Sequence, residues 1–393
     1  MFGSYKKLFS ASGTLSFSVS ALISRISLPM TGIGIITMLS QLHGSYSLAG
    51  AVSALFVFTY AILSPQISRL VDQKGQRKIL PLATIISTFG ILIILISAWV
   101  KAPNWTLFLG AVLAGFMPSM SAMARARWTE IYRGKSQLQT AYSLETVFDE
   151  ISFITGPPLS VLLSVIFFPQ AGLFVSVLLL LIGVFTFTAQ VRTEPKIKAQ
   201  ILYIHSTTSV IRNTNIQLLT LLLMTMGIIV GTVDIVSVAF AEHIGNPAAA
   251  SFVLSAYAIG SCLAGLVFGT LKFKMPLNRL LLIGGLATAA TTLPLILVNS
   301  IFSLAVSVLI AGLFFAPTMI VAMSLVENMV PENQLTESLT WLLAGLNVGV
   351  AIGAATSGQF VDIHGANAGF FVSLVAGGMI LSIVLLGYRR LGV

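Results

Sequence analysis

Residues 79–100 read Ile79-Leu-Pro-Leu-Ala-Thr-Ile-Ile-Ser-Thr-Phe-Gly-Ile-Leu-Ile-Ile-Leu-Ile-Ser-Ala-Trp-Val100, without one charged side chain. A hydrocarbon core about 30 Å thick is crossed by roughly 20 apolar residues in one helix. This run has that length and is flanked by Arg77-Lys78 on one side and Lys101 on the other. Outward from it the same kind of stretch recurs along the whole chain. The spans are 14–41, 47–70, 79–100, 106–127, 138–166 and 171–190, then 216–241, 248–271, 280–298, 301–326, 335–361 and 367–388. Breaks fall on residues that end helices, as at Pro103-Asn104, Pro169-Gln170, Asn246-Pro247 and Pro331-Glu332. The expected fold is therefore all-α and membrane-embedded, with twelve transmembrane helices. Composition agrees: the 393 residues are 56% hydrophobic and 8% charged, where a soluble domain is about a quarter charged.

The net charge of +9 raises nucleic acid as a partner, but the placement of the charge excludes it. With the N-terminus inside, Lys6 and Lys7 of the tail, Arg69, Lys74, Arg77 and Lys78, and Arg125, Arg127, Arg133 and Lys135 fall on one side. So do Arg192, Lys196, Lys198 and Arg212, then Lys272, Lys274 and Arg279, and finally Arg389 and Arg390. Of the 21 basic residues only Lys101, on the other side, and Arg25, within a helix, depart from this. The asymmetry is the positive-inside signal, so both termini are expected in the cytoplasm of a multi-pass plasma-membrane protein. Cys262 is alone in an apolar helix, which leaves no disulfide framework. His43, His205, His243 and His364 lack metal spacing, and no metal or other cofactor is expected. The start, Met1 to Ile23, mimics a secretory signal but runs too far without a cleavage site and reads as helix 1.

A shift of 197 residues brings the chain into register with itself. Tyr60-Ala61-Ile62 meets Tyr257-Ala258-Ile259, Ala114-Gly115 meets Ala311-Gly312, Gly156 meets Gly353 and Ser160 meets Ser357. One offset shared by three helix pairs at half the chain length predicts two parallel six-helix bundles related by a pseudo-twofold axis along the membrane normal. The bundles are residues 1–190 and 216–393, joined by a polar linker, 191–215. Its middle, Ala199 to Ile211, has the makings of a short interfacial helix.

The loop after helix 2 reads Ser68-Arg-Leu-Val-Asp72-Gln-Lys-Gly75-Gln-Arg77-Lys78. It resembles the signature Gly-x-x-x-Asp-Arg-x-Gly-Arg-Arg of the major facilitator superfamily. The matches are Asp72, Gly75, Arg77 and Lys78, while Ser68, Gln73 and Gln76 depart from the pattern. A tight turn favours Gly, and an Asp at a helix end can face another helix's positive N-terminus. The resemblance implies a latch holding the halves together when the cytoplasmic side is closed; an ordinary positive-inside loop is the plainer alternative. The second copy, after helix 8, keeps Gly265 and Gly269 but lacks the Asp and the Gly75 equivalent.

Helix 5 carries Ser152-x-x-x-Gly156-Pro157-Pro158-Leu159-Ser160, similar to a Gly/Pro pattern of the superfamily's proton-coupled drug antiporters with Ser for Gly at two positions. Close helix packing alone also accounts for it. The Arg of the standard subgroup, four residues before the Gly of helix 4, is Ala111 here. By resemblance Tyr60, Tyr257, Trp341 and Asn347 lie on cavity-lining helices, and the protein is a monomer.

Charges inside helices carry the chemistry. Arg25 lies 11 residues into helix 1 and Asp149 11 residues into helix 5, so each is about 16 Å deep at 1.5 Å per residue. Glu145 is one turn from Asp149 on the same face, and Glu150 is on the neighbouring face. A charge there costs about 2.5–3.5 kcal/mol and is expected to be paired or to line a wet cavity. One Arg cannot neutralise three carboxylates, so at least one acid is expected to hold a proton reversibly. A structural Arg25–Asp149 pair is the alternative. Asp234, in the outer half of helix 7, either binds a cation or proton or faces water, and Glu337 reads as a helix cap.

The function expected is a secondary transporter working by alternating access, not an enzyme. Its cargo is expected to be a small amphipathic or cationic compound expelled against protons. Proton-driven uptake of a polar nutrient is the same-class alternative, and a permease subunit of an ATP-driven transporter the alternative from another class.

Overall fold

A computed structural model describes residues 2–43, 46–196, 209–244, 249–271 and 275–390. The described residues form helices and no strand. The first half holds α1 (Phe2–Leu8), α2 (Thr14–His43), α3 (Tyr46–Lys74), α4 (Gln76–Trp99), α5 (Asn104–Ala114), α6 (Met120–Tyr132), α7 (Gln137–Ile166) and α8 (Ala171–Ala189). The second holds α9 (Thr214–His243), α10 (Ala249–Phe268), α11 (Leu277–Ala290), α12 (Thr292–Ile296), α13 (Ile301–Met329), α14 (Leu335–His364) and α15 (Phe370–Arg390). Among the described residues ten stretches are long and apolar enough to cross a membrane, and Asn104–Ala114 and Phe252–Phe268 are shorter apolar helices. With α5 and α6 as one interrupted span and α11 and α12 as another, the twelve expected spans are present. Phe89, Val165 and Leu386 lie exposed on the outer faces, as lipid-solvated residues do.

The repeat seen in the sequence is a packing symmetry. In the first half α2 packs on α7 and α8, α4 on α8, and α5 on α3 and α4. In the second, α9 packs on α14 and α15, α11 on α15, and α13 on α10 and α11. The two seams between halves are related in the same way, α3 against α14 and α7 against α10. The register reaches single residues. A Cβ on Gly172 would meet the carbonyl of Ser160, and one on Gly369 that of Ser357. Gly115 lies against Thr59 and Tyr60, and Gly312 against Tyr257.

The α9–α14 contact shows why small residues recur. A Cβ on Gly353 would overlap the Ile228 carbonyl, so the two backbones touch there. Gly353→Val is expected to cost about 1–3 kcal/mol by overpacking. Gly358→Ala, whose Cβ would meet only Ile235 Cγ2 at 3.9 Å, is expected to change little. Thermal unfolding in detergent reads the difference, and equal midpoints for the two variants would show that the contact is loose.

Span 4 departs from the continuous helix expected over 106–127. α5 stops at Ala114, and residues 115–119 run irregularly before α6 begins at Met120. Pro118 has no N–H to give and pushes Met117 away from helical angles. Phe116 and Met117 close short turns onto the carbonyls of Leu113 and Ala114, and Ser87 Oγ donates to the Ala114 carbonyl at 2.7 Å. Irregular backbone at this depth is tolerated only where it is buried in protein, and residues 117–119 are buried. Of the interfacial helix expected over 199–211, residues 199–208 lie outside the described residues; Val210–Arg212 is one turn of 3-10 helix.

Candidate functional site

Both α2 and α7 bring charge to the middle of the first half, and α6 brings more. Arg25 donates through Nη2 to Glu145 Oε2, and through Nη1 to Asp149 Oδ1 and the Glu145 carbonyl, both at 3.1 Å. Glu145 Oε1 accepts from Trp128 Nε1 at 2.6 Å. Asp149 Oδ2 accepts from Ser121 Oγ and from Arg125 Nη2, each at 2.8 Å. Arg25, Arg125 and Glu145 are buried. The result is a neutral quartet of two arginines and two carboxylates, with every carboxylate oxygen occupied. The Nε of each arginine has no partner among the described residues, yet every charge is paired, as it must be where an unpaired ion in low dielectric is far costlier than a paired one.

Arg125 is the residue the sequence reading misplaced. Counted with the basic loop at the end of helix 4, it turns inward from α6 to the acids. Arg127, two positions on, points to the other side of the same helix. It donates to Gln76 Oε1 and Thr193 Oγ1 at 2.8 Å and to the Gln190 carbonyl at 3.0 Å, and its guanidinium lies 3.7 Å from the Phe187 ring centroid. The available signal was the spacing: two arginines about 200° apart on one helix cannot both face the same water. The count of one Arg for three acids is thereby corrected to two for Glu145 and Asp149, and Glu150 is left over.

Glu150 faces the second half. Its Oε1 accepts from Ser261 Oγ of α10 at 2.8 Å, a hydrogen bond across the seam between α7 and α10. Asp234, on α9, lies within electrostatic range of Glu150.

Apart from the Glu150–Ser261 bond, the hydrogen bonds and ion pairs that join the halves among the described residues cluster at the end where α3 turns into α4, called the base here. The turn is made by Gly75, at φ 90°, whose N–H reaches the Val71 carbonyl at 2.7 Å. Asp72 Oδ1 and Oδ2 accept from the backbone N–H groups of Thr336 and Glu337, at 3.3 and 2.9 Å, capping the start of α14. Ser68 Oγ and Thr340 Oγ1 are 2.7 Å apart. Glu337, expected as a helix cap, sits in the first turn of α14 with its carboxylate turned to other partners. Its carboxylate accepts from Ser209 Oγ, the Val210 N–H and Trp341 Nε1, and lies 3.9 Å from Arg69 Nε. Arg133 reaches Glu327 and Glu332, each at 3.6 Å.

On the symmetry-related seam Gln139 Nε2 donates to the Phe268 carbonyl at 2.9 Å, and Thr140 Oγ1 to that of Gly269. The degenerate second copy of the loop is thus met by side-chain-to-carbonyl bonds instead of a carboxylate. Arg77 is exposed and contributes its backbone N–H, held by Glu194 Oε1 at 2.8 Å. Its neighbour Gln76, a departure from the signature, is the buried one and bridges Arg127 to the Met123 carbonyl.

The remaining candidates spread out. A Cβ at Gly156 would run into Pro29 of α2, with Pro157 next along the helix. Tyr60 lies beside Ser119 and Ser64 within electrostatic range of Asp149. Trp341 joins the base cluster through Glu337, and Asn347 is half-buried on α14.

Solved structures share this architecture. A bacterial homologue of the iron transporter ferroportin in an outward-facing state matches at a TM-score of 0.78 and 14% identity, over 97% of this chain and 100% of that one. The human organic anion transporter MFSD10 (TETRAN) matches at 0.68 and 13%, over 97% and 100%. The E. coli fucose:proton symporter FucP matches at 0.67 and 12%, over 98% and 100%. At such identities the likeness is one of fold. No curated protein matches the sequence closely enough to count as a relative. The sequence profile described as Major Facilitator Superfamily matches residues 15–241 and again 218–391.

Proposed function

The chain belongs to the Major Facilitator Superfamily, a transporter and not an enzyme, and from that premise we propose proton-coupled efflux of a small amphipathic or cationic compound by alternating access. The observation that carries this reading is Glu150. It is the carboxylate of α7 that no arginine neutralises, and it stands on the seam between halves, bonded to Ser261 of the other one. A proton and a cation compete for such a group, and competition for one site is what exchange requires. FucP, which shares the fold, is named for carrying a proton with its cargo.

In this mechanism the bundles 1–190 and 216–393 rock about the central site while the linker 191–215 keeps them tethered. The base carries the basic loops and is cytoplasmic by the positive-inside asymmetry, so the arrangement described is the state closed toward the cytoplasm. Asp72 with Gly75 and the 68–78 loop hold that state. Arg25, Arg125, Glu145 and Asp149 form a neutral brace beside the site. Gly156 and Pro157 allow α7 to bend against α2 as access changes. The protein works as a monomer in the plasma membrane, with both termini inside.

The test is transport by purified protein in liposomes with an imposed pH gradient, screened over a panel that includes ethidium and a neutral sugar. The wild type is expected to move the cation without ATP, and Glu150→Gln to lose gradient-driven movement at least tenfold. A requirement for ATP, or movement of the sugar with the proton instead, would replace efflux of a cation by one of the alternatives. Unchanged coupling in both Asp149→Asn and Glu150→Gln would end the assignment of the acids.

A further inference from the structure

Around Glu150 lies a polar group that the fold leaves without a partner. Tyr257 and Ser261 are one turn apart on α10 and share a face. Since Ser261 bonds Glu150, Tyr257 stands one turn farther from the base above the same carboxylate, within electrostatic range of both Glu150 and Asp234. Its ring packs against Phe315, with centroids 5.9 Å apart. The residue is 8% exposed, and its hydroxyl has no hydrogen-bond partner among the described residues. Other buried hydroxyls, among them Thr84 and Ser164, also lack a partner; Tyr257 differs from these in having two carboxylates within electrostatic range, so a donor held between them would complete it. Asp234 likewise makes no hydrogen bond or ion pair with the described residues.

The repeat supplies the contrast. Tyr60 and Ser64 are the mates of Tyr257 and Ser261 under the 197-residue shift, and the mate of Glu150 is the uncharged Asn347; the acid within electrostatic range of Tyr60 is Asp149. There the acid is neutralised by the resident guanidiniums of Arg25 and Arg125. Beside Tyr257 the Tyr–Ser pair meets Glu150, which no cation among the described residues pairs with.

We propose that Glu150, Tyr257 and Asp234 bind the ammonium group of the cargo, Glu150 as its counter-ion, Tyr257 through its hydroxyl oxygen, and Asp234 as the charge that draws it in from the side opposite the base. The assignment rests on the reading of the cargo as cationic and names where that charge sits. An ammonium offers three N–H donors and accepts nothing, which suits two carboxylates and a phenol. Ca²⁺ takes six to eight oxygens, and no group of three His, Cys, Asp or Glu suited to a metal exists among the described residues.

Calorimetric titration of the purified full-length protein in detergent tests this, with octylammonium, 1-octanol and Mn²⁺ as probes. Wild type is expected to bind octylammonium. Glu150→Gln should weaken it about tenfold or more, Tyr257→Phe and Asp234→Asn each about threefold or more, and Glu150→Asp should retain more affinity than Glu150→Gln. Binding of 1-octanol should stay the same throughout, which also reports that each variant is folded. If Glu150→Gln does not fold, Tyr257→Phe, which removes one oxygen, decides the matter. Octylammonium affinity unchanged in these variants overturns the site, as does binding of Mn²⁺ in its place. Liposome transport separates the two ideas. Gradient-driven cation movement with variant-insensitive binding sinks the site alone. Variant-sensitive binding without any such movement sinks the transport reading and leaves the site.

Discussion

Arg25→Met is expected to cost about 3–5 kcal/mol of stability, the largest effect of any single substitution considered for this chain. Methionine fills much of the space but strands Glu145, whose side chain is 0% exposed and whose Oε2 loses its charged donor. An uncompensated buried carboxylate carries a cost of that size, whereas removing both members of a pair is often nearly neutral. The double variant Arg25→Met/Glu145→Gln should therefore recover most of the loss, since the amide oxygen can still accept from Trp128 Nε1. Denaturant and thermal unfolding in detergent, on both variants, give the comparison. A single variant within about 1 kcal/mol of wild type, or a double variant no better than the single, would show that the quartet does not act as a unit.

Asp72→Ala is expected to shift the balance between base-closed and base-open states by roughly a hundredfold. Its carboxylate accepts two backbone N–H bonds at the start of α14, each of the charge-assisted kind worth about 1.5–3 kcal/mol, and a further contribution comes from the helix dipole. These bonds link α3 to α14, so they exist only while that seam is shut. Taking about 3 kcal/mol for the set, and 1.4 kcal/mol per factor of ten, gives the hundredfold figure. A cysteine pair reads it directly. Ser68 and Thr340 hold hydroxyls 2.7 Å apart on the two sides of the seam, and cysteines there in a Cys262→Ser background should cross-link readily. Adding Asp72→Ala should slow that reaction steeply, with Asp72→Asn in between because the amide keeps one acceptor. Cross-linking at the original rate would mean that Asp72 is not what holds the base.

Much of this was legible beforehand, and unevenly. Long apolar runs and the 197-residue repeat led to twelve spans and two matched bundles, because a span must satisfy its own backbone bonds and so advertises itself locally. The break in span 4 was missed since hydropathy integrates over a window: five apolar or small residues around Pro118 look like more of the same helix. Asp72 and Gly75 were singled out from a short signature, while Gln76 was set aside as a departure from it and Glu337 was read only as a helix cap. Gln76 breaks the signature and still bridges Arg127 to the Met123 carbonyl, and the reach of Glu337 to Ser209 and Val210 depends on where the linker returns. Arg125 fell to the loop count because two residues decide whether a basic side chain near a span end points to water or into the bundle.

The chain by itself determined solvent, span number and internal symmetry, each a property of residue type and spacing along one dimension. It also marked the intramembrane acids, since a charge in an apolar run has no cheap explanation. Only the tertiary structure decided how those acids divide. Glu145 and Asp149 are closed off by arginines arriving from α2 and α6, while Glu150 is handed to the opposite half through Ser261. The reason is physical: a carboxylate's partner is whatever the packing of separate helices brings within about 3 Å, and sequence distance does not encode that.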